Sequence, residues 1–127
     1  MSKYAQAAVE TVRKNQGKSS LDMRQEWDKT MMKYYPTKKP SREKGCPRNA
    51  FLGLSEAGLI MGIPTGDYGV KPGNVNKRYA VDAVALLQAG SEPDKKQLWA
   101  AVTDANKKPN HQMDIVLALL HEGMLNI

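Results

Sequence analysis

The chain has 127 residues, 41% of them hydrophobic, and this size and composition predict one globular domain spanning residues 1–127. No apolar run is long enough to cross a membrane, and the N-terminal segment lacks the apolar block of a signal peptide. We therefore expect no membrane contact. The single cysteine excludes an internal disulfide, so we expect a cytoplasmic protein. The net charge of +6 favours acidic partners, although it also falls in the range that merely keeps a small domain dispersed in water.

Helical patterns fill most of the chain and predict a compact all-α domain of about six helices with short connections. The first helix is predicted over residues 3–16. We expect Ser19 or Ser20 to cap the second helix, with Pro36 at its end. The apolar stripe of this second helix consists of Met23, Trp27, Met31 and Tyr34. No segment alternates apolar and polar residues as a half-buried strand does.

Residues 36–46 contain two prolines and no apolar periodicity, which predicts a loop with at most one helical turn at 41–44. Positions 38–48, here called the basic lip, hold five cations and one acid, Glu43. The cations are Lys38, Lys39, Arg42, Lys44 and Arg48. No other window of this length is so one-sided in charge. The basic lip is therefore the predicted contact surface for an acidic partner.

The clearest helix is predicted over residues 47–61, with Pro47 at its first position and Gly62 closing it. Gly53 and Gly58, both inside this prediction, each cost about 1 kcal/mol relative to alanine. A neighbouring helix that packs too closely for side chains is the simplest reason for tolerating that cost. We therefore expect this helix to be central.

A loop at residues 65–73, rich in glycine and predicted to expose Asp67, Tyr68 and Lys71, precedes the last three helices. We expect Asn74 or Asn76 to cap a helix that runs to about Gln88. The following helix is predicted to start at the cap residue Ser91. Its core-facing residues are Leu98, Val102 and Ala105. A final helix is predicted over about residues 111–122.

Cys46 is predicted to sit at the N-cap of the central helix, beside unpaired amide groups and the positive end of the helix dipole. Lys44, Arg48 and Arg42 add positive charge, so these four residues form a candidate anion-binding site. The same environment lowers the pKa of a thiol, which makes a catalytic cysteine the alternative. No histidine or second cysteine lies nearby in sequence, and a purely structural, buried cysteine is the third interpretation.

Other chemistries have little basis in the sequence. Cys46, His111 and His121 supply three ligands at spacings unsuited to zinc, so we predict no metal site. The glycines of the 65–73 loop match no phosphate-binding or dinucleotide fingerprint, and no cofactor is predicted. Glu56 lies mid-helix in an apolar run. Its carboxylate is either exposed on a polar face or buried with a partner, where it holds the 65–73 loop or acts as a functional acid.

The run KGCPRNAFLGLSEAGLIMGIPTGDY, at residues 44–68, resembles a small uncharacterised bacterial family with the pattern KGCPRxAFLGLxExGLxxGIPxGxY. The run NKRYAVDAVALL, at residues 76–87, is also part of the resemblance, which covers about a third of the chain in all. It implies no activity. It implies that one module contains Cys46, Pro47, Arg48, Phe51, Glu56, Gly62, Pro64 and Tyr68.

The leading hypothesis from the sequence is a non-enzymatic module that binds a nucleic-acid backbone or an acidic protein through the basic lip. Lys38, Lys39, Tyr68 and Lys71 are the candidate contacts, with Tyr68 available to stack on a base if its loop lies near the lip. The alternative is a small enzyme, or a redox or anion sensor, built on Cys46. A third hypothesis, a scaffold with an apolar contact face, draws on the seven methionines.

Overall fold

The computed structural model describes residues 1–104 and 106–127 and confirms an all-α fold. Its helices are α1 (Lys3–Asn15), α2 (Met23–Tyr34), α3 (Lys39–Arg42), α4 (Gly45–Glu56), α5 (Val75–Gln88), α6 (Lys95–Val102) and α7 (Gln112–His121). Within these described ranges the only extended pairing is an isolated antiparallel bridge between Ile60 and Leu125. None of the helices described is long and apolar enough to cross a membrane.

The core is built around α4 and α7. Helix α4 packs against α2, α5 and α7, while α7 also packs against α1, α5 and α6. Leu54 of α4 and Ile115 of α7 are fully excluded from water. Trp27 of α2 stacks on Phe51 of α4, with ring centroids 4.9 Å apart. The prediction that the helix after the basic lip is central is therefore confirmed, whereas the expectation for Ala105 lies outside the described residues.

Two helices begin later than predicted from the serines that could cap them, because an aspartate closer to the helix is the cap. The Asp22 carboxylate accepts hydrogen bonds from two amides of the first turn of α2, so neither Ser19 nor Ser20 is the cap. Asp94 caps α6 in the same way, accepting from one first-turn amide, and replaces Ser91. In both places the ionised carboxylate also faces the positive end of the helix dipole.

Helix α4 ends at Glu56 and not at residue 61, because Gly58 and not Gly62 closes it. Gly58 has φ +74°, and its amide donates to the Ser55 carbonyl while the next amide donates to the Leu54 carbonyl. This pair of bonds is the Schellman closure of a helix, and it requires the left-handed conformation that glycine adopts without strain. Met61 consequently lies outside the helix and is 46% exposed.

Gly53 is the contact point between α4 and α5. A Cβ atom on Gly53 would lie 2.5 Å from Lys77 Cγ and 2.9 Å from Lys77 Cα, closer than side chains pack. The backbone of α5 therefore approaches α4 only because position 53 carries no side chain. This confirms the expected reason for Gly53, and it brings Lys77 next to the end of α4.

Candidate functional site

The basic lip consists of α3 and the start of α4, and hydrogen bonds made by Arg42 and by Tyr4 attach α3 to the rest of the fold. Arg42 donates to the Tyr35 carbonyl, at 2.9 Å, and so binds the last turn of α2. The Tyr4 hydroxyl of α1 donates to the Ser41 carbonyl, also at 2.9 Å. Pro40 in the first turn suits so short a helix, since its missing N–H would have no acceptor there. Arg42 therefore holds the lip in place, with its guanidinium committed to backbone carbonyls.

The remaining lip cations are not neutralised by neighbouring acids. Lys38, Lys39 and Lys44 are exposed, and Arg48 is half-buried. In the described part of the chain, no ion pair includes any of these four residues, whereas five other lysines do pair with carboxylates: Lys14, Lys29, Lys33, Lys77 and Lys95. Lys3 lies beside the lip cations, because its ammonium sits 5.0 Å from the centroid of the Tyr35 ring. Sequence reasoning missed Lys3, since only tertiary packing brings α1 to the lip.

The start of α4 differs from the prediction. Lys44 is the N-cap residue and Cys46 is the second residue of the helix, because α4 begins at Gly45. Pro47 is accordingly the third residue, still within the first turn where its missing N–H needs no acceptor. No side chain caps this helix end, so its first amides face the lip without an internal acceptor. Cys46 is half-buried, and among the described residues nothing forms a hydrogen bond with its sulfur.

Tyr68 and Lys71 do not belong to this surface. The prediction that Tyr68 is exposed is wrong: its side chain is buried, and its hydroxyl donates to the Pro64 carbonyl at 2.6 Å. It is therefore not free to stack on a base. The 65–73 loop contacts Glu56, the last residue of α4, whereas the basic lip lies at the first. Twelve residues at 1.5 Å each separate the two ends by about 18 Å.

The Glu56 side chain is largely buried and holds the 65–73 loop, so of its two interpretations the buried, partnered one is correct. Only 8% of its side chain is exposed. Its carboxylate accepts hydrogen bonds from the Tyr68 amide at 2.7 Å, the Val70 amide at 3.2 Å and the Lys77 ammonium at 2.9 Å. Burial alone would raise the pKa of Glu56, but the Lys77 ammonium and the two amides outweigh it and lower that pKa below its usual value.

A second set of bonds fixes the same loop from the α2 side. Arg24 donates to the carbonyls of Tyr68 and Gly69, at 3.4 and 3.3 Å. The Asp67 carboxylate accepts from the Gly69 amide at 2.9 Å, which forms a local Asx turn. The loop is thus held from α2 and α4, and Lys77 of α5 bonds the Glu56 carboxylate that holds it. Of the residues responsible, the sequence analysis identified Glu56 from its position in an apolar run, and it missed Arg24 and Lys77.

The outer face of this loop and the first turns of α5 enclose a cleft of about 720 Å³. Its walls combine apolar residues, among them Val70, Pro72 and Val81, with charged side chains of both signs. The charged residues are Glu56, Asp67, Lys71, Lys77, Arg78 and Asp82. Asn74, one of the two caps predicted for this helix, accepts from two first-turn amides and so fixes the start of α5. The sequence analysis did not find the cleft: apart from Glu56 its lining residues lie at positions 66–82, but the folded path of the loop, not the local sequence, forms a cavity between them.

The two histidines lie at opposite ends of α7 and form no joint site. His111 precedes the helix with φ 69°, and its Nδ1 lies 3.0 Å from the Asp114 carboxylate, which also pairs with Lys95 at 2.8 Å. His121 is exposed at the last position of α7. Within residues 1–104 and 106–127, no group of three or more His, Cys, Asp or Glu side chains is arranged to hold a metal ion.

Comparison with known proteins adds a family but no activity. No curated protein and no solved structure matches the chain. A family model described as a family of unknown function (DUF6979) matches residues 1–126. This match agrees with the expectation of an uncharacterised family. Since it covers almost the whole sequence, the chain belongs to the family of unknown function DUF6979.

Proposed function

We propose that this chain is a non-enzymatic binding module whose basic lip, extended by Lys3, contacts the phosphate backbone of a nucleic acid. The observation that carries the proposal is the set of exposed lip lysines, which have no carboxylate partner in the described structure. Uncompensated cations on one surface attract a polyanion and release its counterions on binding. The uncapped amides at the start of α4 add donors of the kind that bind phosphate oxygens.

An acidic protein is the less favoured partner, because the lip lacks the apolar centre of a protein interface. The large apolar side chains exposed in the described residues are Met1, Met32, Met61, Val75 and Ile127. None of them belongs to residues 38–48. A lysine side chain is a point charge on a flexible stem. It can therefore follow a repeating phosphate backbone, which has no fixed surface shape.

The setting we propose is a bacterial cytoplasm. The motif at residues 44–68 supports the bacterial origin through its resemblance to a bacterial family, and the lone cysteine is consistent with a reducing compartment. An enzyme or sensor built on Cys46 has weaker support. Its thiol is half-buried, is not the helix cap, and has no hydrogen-bonding side chain among the described residues to act as a base.

The experiment is a titration of fluorescently labelled single-stranded DNA, RNA and duplex DNA with the protein, followed by anisotropy between about 50 and 200 mM salt. We expect the affinity to fall steeply as the salt concentration rises. The test variant carries K38Q, K39Q and K44Q. Each substitution that removes a lysine–phosphate interaction should reduce the slope of log affinity against log salt by about one.

The control variant removes the same charge from three lysines that pair with carboxylates. These are Lys14, Lys29 and Lys95. It should retain most of the slope. Absence of binding to any of the three nucleic acids at low salt would overturn the proposal, as would an equal reduction of slope in both variants. Tighter binding to polyglutamate than to the nucleic acids would instead identify an acidic protein as the partner.

A further inference from the structure

We propose that the cleft between the 65–73 loop and α5 binds a small zwitterion of the amino-acid type, with one carboxylate and one ammonium group. This site is separate from the basic lip, because the two lie at opposite ends of α4. The cleft volume of about 720 Å³ falls within the range of small-molecule sites, about 300–1,000 Å³. A second cavity, lined by Leu21, Arg24 and Tyr68 among others, has a smaller volume of about 490 Å³.

The cleft is built on a loop that is already ordered. Glu56 accepts both the Tyr68 and the Val70 amides, and Arg24 binds two carbonyls of the same loop. The absence of a side chain at Gly53 lets α5 approach and places Lys77 against Glu56. A binding surface whose backbone is fixed before the ligand arrives loses little conformational entropy on binding. The loop is therefore preorganised for a small ligand.

The charges around the cleft are balanced, and this balance selects the class of ligand. Glu56 is satisfied by Lys77 and by two amides. The charged groups that remain are two cations and two carboxylates, and none of the four forms an ion pair in the described structure. They are Lys71, Arg78, Asp67 and Asp82, all exposed; Asp67 accepts the Gly69 amide and Arg78 lies over the Tyr79 ring, but neither contact neutralises its charge. A purely anionic ligand would meet two unpaired carboxylates, and a purely cationic ligand would meet two unpaired cations, whereas a zwitterion satisfies both kinds of group.

Lys77 supplies the fixed end of the site. Its ammonium has three donors, of which one is used by Glu56, and its side chain is 36% exposed. The free donors can bind the ligand carboxylate, with Lys71 or Arg78 beside it. The ligand ammonium then lies toward Asp82 or Asp67. The apolar wall formed by Val70, Pro72 and Val81 is left for an aliphatic side chain.

The test begins with thermal unfolding of the full chain in millimolar amounts of each standard amino acid, followed by isothermal calorimetry on the best binder. We expect at least one aliphatic amino acid to raise the unfolding temperature. Its deaminated analogue, a simple carboxylate, and its decarboxylated analogue, a simple amine, should each bind about tenfold or more weakly. If no standard amino acid binds, or if either analogue binds as tightly as the parent, the proposal fails.

Variants assign the binding to the cleft. Asp82→Asn and Arg78→Gln alter side chains at the cleft wall and should each weaken zwitterion binding about tenfold. Asp82→Asn should leave the unfolding temperature without ligand unchanged, because the Asp82 side chain forms no hydrogen bond or ion pair among the described residues. Asp28→Asn, at an exposed position of α2 away from the cleft, is the matched control and should bind normally. Equal binding by Asp82→Asn and wild type would overturn the site. The variant lacking the lip lysines should still bind the zwitterion, so this proposal and the proposed function succeed or fail independently.

Discussion

Replacing Glu56 by glutamine should destabilise the fold by about 2 kcal/mol. The Glu56 carboxylate accepts three charge-assisted hydrogen bonds, and bonds of this kind contribute roughly 1.5–3 kcal/mol each. The Tyr68 and Val70 amides both donate to Oε2, so a glutamine oxygen in that place can still accept from both, but the glutamine NH2 then faces the Lys77 ammonium, donor against donor. The bond from Lys77 is discounted because its ammonium is partly exposed and can turn to water. The loss of the discounted Lys77 bond and the weakening of two amide bonds that now reach a neutral oxygen together give the figure of about 2 kcal/mol.

The measurement is urea unfolding followed by circular dichroism, together with the midpoint of thermal unfolding. For a chain of this size a loss of about 2 kcal/mol lowers the midpoint by about 8 °C. Glu122→Gln is the matched control, because the Glu122 side chain is 40% exposed and its carboxylate pairs with Arg13 at 3.4 Å, so the expected loss is below about 0.5 kcal/mol. If Glu56→Gln costs no more than the control, the buried carboxylate does not hold the loop.

Three further outcomes are expected. Because the folded-state pKa of Glu56 lies below its ordinary 4.5, its contribution is complete above about pH 5 and is lost as the pH falls through the folded value. The stability difference between wild type and Glu56→Gln should therefore shrink in acid, and a constant difference down to about pH 2 would contradict the lowered pKa. Gly53→Ala should cost about 1–3 kcal/mol in urea unfolding, because its Cβ would overlap the Lys77 backbone. Gly45→Ala, whose Cβ would meet only an ordinary contact at 3.7 Å, should cost much less, and equal losses would refute the close approach. Leu54→Ala should cost roughly 2–5 kcal/mol in the same assay, and a loss below about 1 kcal/mol would mean that α4 is not central.

Helix positions can be predicted from the sequence because apolar side chains at helical spacing must face a common core. Helix ends are harder to predict, since several residues near each end can cap. Asp22 and Asp94 each follow a serine that could cap the helix, so the sequence predicts them in the first turn. In the structure their own carboxylates cap the helices. The sequence predicts Gly58 inside the helix, because Gly62, four residues later and followed by Pro64, is an equally good residue to end a helix. The choice between them depends on tertiary packing after α4, where the chain pairs with residues near Leu125.

The candidate sites are predictable to different degrees. The lip cations are neighbours in sequence, so a local count of charges finds them without a structure. Lys3 joins them only through the packing of α1 against Tyr35. The cleft depends on Glu56 meeting Lys77, twenty-one residues away, and on Tyr68 turning inward. The glycine at position 53 is the available signal, since it predicts a close neighbour, but sequence alone does not say which helix that neighbour is.

The most direct test of the central claim is a map of backbone amide chemical shifts while a short oligonucleotide is added to isotope-labelled protein at low salt. We predict that the shifts concentrate at residues 38–48 and at Lys3, and that they fade as salt is added. Residues 65–73 should remain unchanged. Shifts that avoid the lip, or no shifts at low salt, would contradict the claim that this surface binds a phosphate backbone.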